Sequence, residues 1–149
     1  MTPEAKVLPP TAVVMRLVRH TESLFPPGSS RPIPRAFELS TADKDEARRR
    51  GMPALLSVFD TSRTTLPQAI ALRGGTDPMT AFGLPVAGVH SIRVQNRARL
   101  RVIEDPLSPE RGSGGEGHAG IEGLERRAGE PKAPLKQIQM HLADLCFRL

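Results

Sequence analysis

His118 and Glu122 are the residues of this chain whose types and surroundings best suit acid–base chemistry. Glycines flank both of them, and a glycine-rich backbone can approach a ligand closely. A histidine beside a carboxylate can transfer protons near neutral pH. In an extended segment, side chains four positions apart share a face but lie about 13 Å apart, so these two would not touch. The pattern therefore favours a loop histidine without a catalytic role.

The other histidines and the single cysteine carry weaker signals. His20, His90 and His141 form no HxH, HxxxH or HExxH spacing with one another or with His118, so no metal site is predicted. We expect His90 to be hydrogen-bonded, either in the core or half-buried, and not a metal ligand. Cys146, as the only cysteine, excludes an intramolecular disulfide, and its apolar neighbours favour an inert thiol.

A basic group, a serine and an acid follow one another along the chain. Arg16 and His20 lie towards the end of a predicted strand, Ser57 lies within another, and Glu122 comes late. This order resembles that of ADP-ribosyltransferase-like folds. The resemblance implies a nucleotide-handling enzyme in which Arg16 or His20 holds NAD phosphate or ribose and Glu122 polarises the ribose. The candidate catalytic residues are Arg16, His20, Ser57, His118 and Glu122. No bound cofactor is predicted.

Four arginines cluster on a predicted β-hairpin formed by residues 86–94 and 99–104. They are Arg93, Arg97, Arg99 and Arg101. Arg99 and Arg101 are two apart, so on a strand they point to one face, where they could meet the phosphates of a nucleic acid. No aromatic residue lies among them to stack on bases. A solvated sheet face is therefore favoured over a nucleic-acid-binding ribbon.

Hydrophobic patterning predicts the elements that must position these residues. Residues 11–19 alternate as a strand, and residues 54–60 are apolar on both faces, which predicts a central strand. Shorter strands are predicted within 36–39 and 117–124. Thr65 and Gln68 form a capping box for a helix over 66–73, which Gly74 and Gly75 end. Residues 41–50 suit a short exposed helix and a solvated loop equally well.

One apolar stripe predicts a C-terminal helix. Its members recur at three- and four-residue steps: Leu135, Ile138, Leu142, Leu145 and Leu149. Met140 and Phe147 lie off this stripe. We therefore expect them to be exposed, or to contact another protein or a second copy of the chain.

Four short segments resemble a group of small uncharacterised bacterial proteins. They are AF at 36–37, LSV at 56–58, DPL at 105–107 and GHAGI at 117–121. The resemblance implies a bacterial source and a compact α+β fold, and it assigns no catalytic residue.

Composition bounds the class of protein. A length of 149 residues predicts one domain, with loop-rich stretches at about 21–35 and 108–131 where proline, or glycine and charged residues, concentrate. We predict an α+β fold with a small mixed or antiparallel sheet, a short helix and a C-terminal amphipathic helix. The net charge of +5 is spread thinly, and neither a signal peptide nor a membrane span is evident. The lack of a signal peptide and of a membrane span favours a cytoplasmic protein. The few aromatic residues for a core, the off-stripe Met140 and Phe147 and the lack of a catalytic signature favour a non-enzymatic protein-interaction module.

Overall fold

One antiparallel sheet organises the molecule. The computed structural model describes residues 6–19, 32–74, 78–126 and 128–149. Within them, the strands are β1 (Val13–Arg19), β2 (Leu55–Asp60), β3 (Met79–Pro85), β4 (Arg101–Glu104), β5 (His118–Glu122) and β6 (Phe147–Arg148). They lie in the order β4-β5-β2-β1-β3-β6, and each neighbouring pair is antiparallel. The helices are α1 (Thr41–Arg50), α2 (Leu66–Arg73), α3 (Val86–Ser91) and α4 (Ala133–Leu145). The predicted α+β class is confirmed.

Both faces of the sheet are covered by apolar side chains. Leu56 and Val58 of β2 belong to the larger core, which also contains Ile138 and Leu142 of α4. The alternate β2 residue Phe59 belongs to a second cluster, together with Ala69 and Leu72 of α2. The prediction that residues 54–60 form a central strand with two apolar faces is therefore confirmed.

Reciprocal capping boxes begin the first two helices. Thr65 and Gln68 cap α2, whose bounds match the predicted 66–73. Residues 41–50, for which helix and loop were equally suited, form α1. Its cap is Ser40, which accepts a hydrogen bond from the backbone of Asp43 while the Asp43 carboxylate accepts one from the backbone of Ser40. The cap is therefore Ser40 and not Thr41, because the residue three positions after Thr41 is Lys44, which cannot complete a capping box.

Two predicted strands are wrong. Residues 36–39 do not form a strand, because a 3₁₀ turn occupies Pro34–Phe37. Residues 86–91 form α3, so the predicted hairpin does not exist, and β3 over 79–85 pairs with the full length of β1 instead. The alternating pattern predicted a strand here because Gly88 falls in step with it. In the structure Gly88 lies where α3 contacts α4, and a Cβ at this position would be 2.6 Å from Leu145 Cδ1. Because Gly88 has no side chain, α3 can approach α4 closely.

The C-terminal stripe is helical over most of its length. Ile138 and Leu142 are buried, and Leu135 and Leu145 pack against the same core. Leu149 lies beyond the end of α4 and is exposed. Met140 and Phe147 are 54% and 43% exposed, as their positions off the stripe predict. A contact between these two residues and another protein remains a prediction.

Thr64 ties the start of α2 to the turn that precedes β5. Its side chain is 1% exposed, and its hydroxyl donates a 2.6 Å hydrogen bond to the carbonyl oxygen of Gly114. Gly114 in turn precedes the 3₁₀ turn Gly115–Gly117, which leads directly into His118. This buried bond therefore helps to set where β5 begins.

We expect Thr64→Val to lower the free energy of unfolding by about 0.5–1.5 kcal/mol, because it removes one of the two donors to the buried Gly114 carbonyl and leaves only the backbone N–H of Gly117. Thr64→Ser keeps the hydroxyl and should lose less stability than Thr64→Val. Urea unfolding followed by circular dichroism measures both differences. Equal stability of the valine variant and the wild type would contradict this role.

Candidate active site

Neighbouring strands bring Ser57 and His118 together. In the register of β2 and β5, Ser57 lies opposite Gly120, and Phe59 lies opposite His118. Side chains two positions apart on a strand share a face, so His118 is the diagonal neighbour of Ser57. Gly120 carries no side chain at the position opposite Ser57. Ser57 Oγ and His118 Nε2 are 2.7 Å apart, within hydrogen-bonding distance.

Contacts on its other nitrogen fix the His118 ring. Nδ1 lies 2.7 Å from the carbonyl oxygen of Asp105 and 3.4 Å from its carboxylate Oδ2. Both are acceptors, so the neutral imidazole carries its proton on Nδ1 and donates it to the carbonyl. Nε2 is then free to accept the proton of the Ser57 hydroxyl. The ring also meets Phe59 edge-on, with centroids 5.2 Å apart.

Strand pairing and one ion pair place Asp105. Antiparallel pairing of β4 with β5 brings the end of β4 to the start of β5, and the backbone N–H of Asp105 donates to the carbonyl of His118. Pro106 favours an extended Asp105. Arg50, the last residue of α1, holds the carboxylate with contacts of 2.9 and 3.4 Å. The hydrogen bond with His118 and the Arg50 guanidinium lower the pKa of Asp105 from 3.8 to about 2.

Arg16 supports the backbone of Ser57 from the neighbouring strand. The ladder between β1 and β2 pairs only Val14 with Asp60 and Met15 with Phe59. Where it stops, Arg16 Nη1 donates a 3.0 Å hydrogen bond to the Ser57 carbonyl, and its Nε donates one to the Ala36 carbonyl. Burial and the nearby Arg73 lower the pKa of Arg16 to about 10. Arg16 is thus a positioning residue beneath Ser57.

The serine–histidine pair opens into a cavity of about 640 Å³. Ser57, His118 and Asp105 all line it, together with side chains from α1, α2 and the segment after β4. Its charged lining is predominantly basic: the arginines are Arg19, Arg49, Arg50, Arg73 and Arg111, and the acids are Asp43, Glu46 and Asp105. Leu55, Phe59 and Leu72 provide an apolar part of the wall. The cavity is large enough for a small organic ligand.

The structure joins two of the five candidate catalytic residues by a side-chain hydrogen bond. Ser57 and His118 form the pair, whereas Arg16 donates to backbone carbonyls. Glu122 forms an ion pair with Arg101 at 3.0 Å and lines a second, smaller cavity, as the expected strand separation from His118 implies. His20 lies outside the described residues. Glu122 is not among the residues that line the cavity at Ser57, and the ADP-ribosyltransferase alternative stays a prediction.

Sequence reasoning missed Asp105. The sequence signal for Asp105 is its position directly after a predicted strand and before a proline, because the ends of paired strands meet. The missing information was the partner of β4. The predicted hairpin paired residues 99–104 with 86–94, whereas the structure pairs β4 with β5.

The four arginines assigned to the predicted hairpin do not line one shared strand face in the structure. Arg97 is 8% exposed, pairs with Glu130 and donates to the carbonyls of Gly123 and Glu125. Arg93 donates to carbonyls of its own segment, and Arg101 pairs with Glu122. Arg99 is exposed.

His90 belongs to a helix and not to the predicted strand, but its environment is the expected one. It is half-buried, and its Nε2 accepts a hydrogen bond from the backbone N–H of Val102 at 3.0 Å. Burial and the nearby Arg101 lower the pKa of His90. No group of three or more potential metal ligands occurs among the described residues, and no described helix is long and apolar enough to cross a membrane.

Comparison with protein-family models, with curated proteins and with solved structures gives no match. The resemblance to small bacterial proteins stays a prediction.

The low pKa of Asp105 predicts a pH-dependent contribution to stability. Because the folded-state pKa of about 2 lies below the ordinary 3.8, the ionised carboxylate stabilises the fold above pH 3.8. That contribution is lost as the pH falls through the folded-state value. We expect Asp105→Asn to be less stable than the wild type at pH 6 by up to about 2 kcal/mol, with a smaller gap at pH 2.

Urea unfolding at the two pH values measures this gap. Asp45→Asn is a matched control, because Asp45 pairs with Arg48 on an exposed surface of α1. It should change the free energy of unfolding by less than about 1 kcal/mol at either pH. An Asp105→Asn gap of the same size at pH 6 and pH 2 would contradict the assignment of this carboxylate.

Proposed function

We propose that the chain is a hydrolase that cleaves esters with Ser57 as nucleophile and His118 as general base. The observation that carries this proposal is the 2.7 Å contact between Ser57 Oγ and His118 Nε2 in the wall of a cavity. A serine hydroxyl is a weak nucleophile, and a base within hydrogen-bonding reach activates it. Asp105 supplies the third element of such a system, a group that orients the base.

The reaction follows from these contacts. Ser57 Oγ attacks the ester carbonyl carbon while its proton passes to His118 Nε2. The resulting imidazolium gives that proton to the departing alkoxide, so an alcohol leaves and an acyl group stays on Ser57. Water then attacks the acyl carbon and gives one proton to His118, which returns it to Ser57 Oγ as the carboxylic acid is released. Asp105 stabilises the imidazolium in both steps.

Three features support catalysis over a purely structural hydrogen bond. First, Ser57 is only half-buried, and both partners line the cavity, so a substrate can reach them. Second, His118 accepts at Nε2 and donates at Nδ1, which is the tautomer that a general base requires. Third, the arginine-rich lining favours the negative charge that develops on the ester oxygen during attack.

A fluorophosphonate probe tests the nucleophile directly, because it phosphonylates activated serines. We expect the folded wild-type protein to gain one adduct, which peptide mapping assigns to Ser57. Hydrolysis of a p-nitrophenyl ester should fall by at least about a hundredfold in Ser57→Ala and in His118→Ala, because general base catalysis is worth about 10²–10⁴.

Ser62→Ala is the matched control for this experiment. Ser62 lies five residues further along the chain, and its hydroxyl bonds the Asp60 carboxylate. This variant should keep both labelling and hydrolysis. Circular dichroism establishes that each variant is folded. The absence of any adduct on Ser57 in folded wild-type protein, or equal labelling in His118→Ala, would overturn the proposal.

A further inference from the structure

Arg73 brings a positive charge to the cavity that contains Ser57. It lies at the end of α2 and lines the cavity. Within the described part of the chain, Arg73 makes neither a hydrogen bond nor an ion pair, whereas Arg49 pairs with Glu46 and Arg50 pairs with Asp105. Its guanidinium therefore keeps its donors available to a ligand.

Other guanidiniums add to this charge. Arg19, at the end of β1, lines the same cavity. Partial burial and the nearby Arg19 lower the pKa of Arg73. Arg73 in turn contributes to the lowered pKa of Arg16, beneath Ser57. Asp43 is the carboxylate that opposes both effects. Like charges held in partial burial repel one another, and an anion placed among them relieves that repulsion.

Arg111 approaches the cavity from a different part of the chain. It lies in the 3₁₀ turn Pro109–Arg111 after β4, its side chain is exposed, and it has no ion-pair partner in the described ranges. Two guanidiniums from separate elements thus face one cavity with donors to spare. Guanidinium groups bind phosphate and carboxylate through paired, charge-assisted hydrogen bonds.

We infer that this cavity binds an anionic ligand, with Arg73 as the principal contact for a phosphate or carboxylate group and Arg111 as a second. As a statement about substrate this rests on the proposed function: the ester cleaved at Ser57 carries that group away from the reacting bond. The cavity of about 640 Å³ has room for both parts of such a molecule. Arg50 stays with Asp105 and does not contact the ligand.

Calorimetric titration tests the binding without turnover. Ser57→Ala protein is titrated with inorganic phosphate and, separately, with acetate, at constant ionic strength set by chloride. We expect saturable binding of at least one anion, and the tighter one identifies the group. Arg73→Gln should weaken that binding by at least about tenfold, the equivalent of one charge-assisted hydrogen bond. Arg73→Lys should recover part of it, and Arg111→Gln should weaken it less than Arg73→Gln.

Arg48→Gln is the control, because it removes the same charge from an exposed position of α1 that does not line the cavity. It should leave anion affinity unchanged. No saturable binding of either anion, or equal weakening by Arg48→Gln and Arg73→Gln, would overturn the inference. Anion binding that depends on Arg73 in a protein whose Ser57 takes up no fluorophosphonate would support the binding site and refute the hydrolase. Fluorophosphonate labelling of Ser57 in a protein that binds neither anion would support the hydrolase and refute the anion-binding site.

Discussion

Asp105 constrains His118 through its backbone and its carboxylate together, and the candidate site depends on this constraint. The carbonyl and Oδ2 of Asp105 both face Nδ1 of the imidazole, so the proton of the neutral ring is held there and Nε2 is left to accept from Ser57. Strand pairing sets the distance. The end of β4 meets the start of β5, and β5 lies beside the central strand that carries Ser57. Arg50 at the end of α1 then keeps the carboxylate ionised and in place.

The larger core and the candidate site lie on opposite faces of the sheet. Leu56 and Val58 point into the larger core, whereas Ser57 and the cavity lie on the opposite side of β2. Arg16 links the core to the site. It lies on β1 between the core residues Val14 and Val18, and its guanidinium donates a hydrogen bond to the Ser57 carbonyl. A half-buried guanidinium with two backbone acceptors is costly to place, and it fixes the backbone at the point where β1 and β2 cease to pair.

The sequence predicted correctly those elements that are determined by residues close together in the chain. The Thr65–Gln68 capping box fixed α2, and apolar residues on both faces of 54–60 placed β2 at the centre. Alternation over 86–94 predicted a strand where α3 forms, because Gly88, which contacts α4 in the structure, falls in step with the alternating residues. Ser57 and His118 could be singled out by residue type. Their contact depends on the pairing of β2 with β5, and the position of Asp105 depends on the pairing of β4 with β5. A single sequence encodes neither pairing locally.

The protonation of His118 tests the central claim most directly. Long-range proton–nitrogen correlation by NMR, on protein labelled with nitrogen-15 in histidine, distinguishes a protonated ring nitrogen from one that accepts a hydrogen bond. At neutral pH and low temperature, we expect His118 to show a proton on Nδ1 and an accepting Nε2, and its Nε2 resonance should move in Ser57→Ala. A His118 ring with its proton on Nε2, or one whose Nε2 resonance is unchanged by Ser57→Ala, would contradict the account.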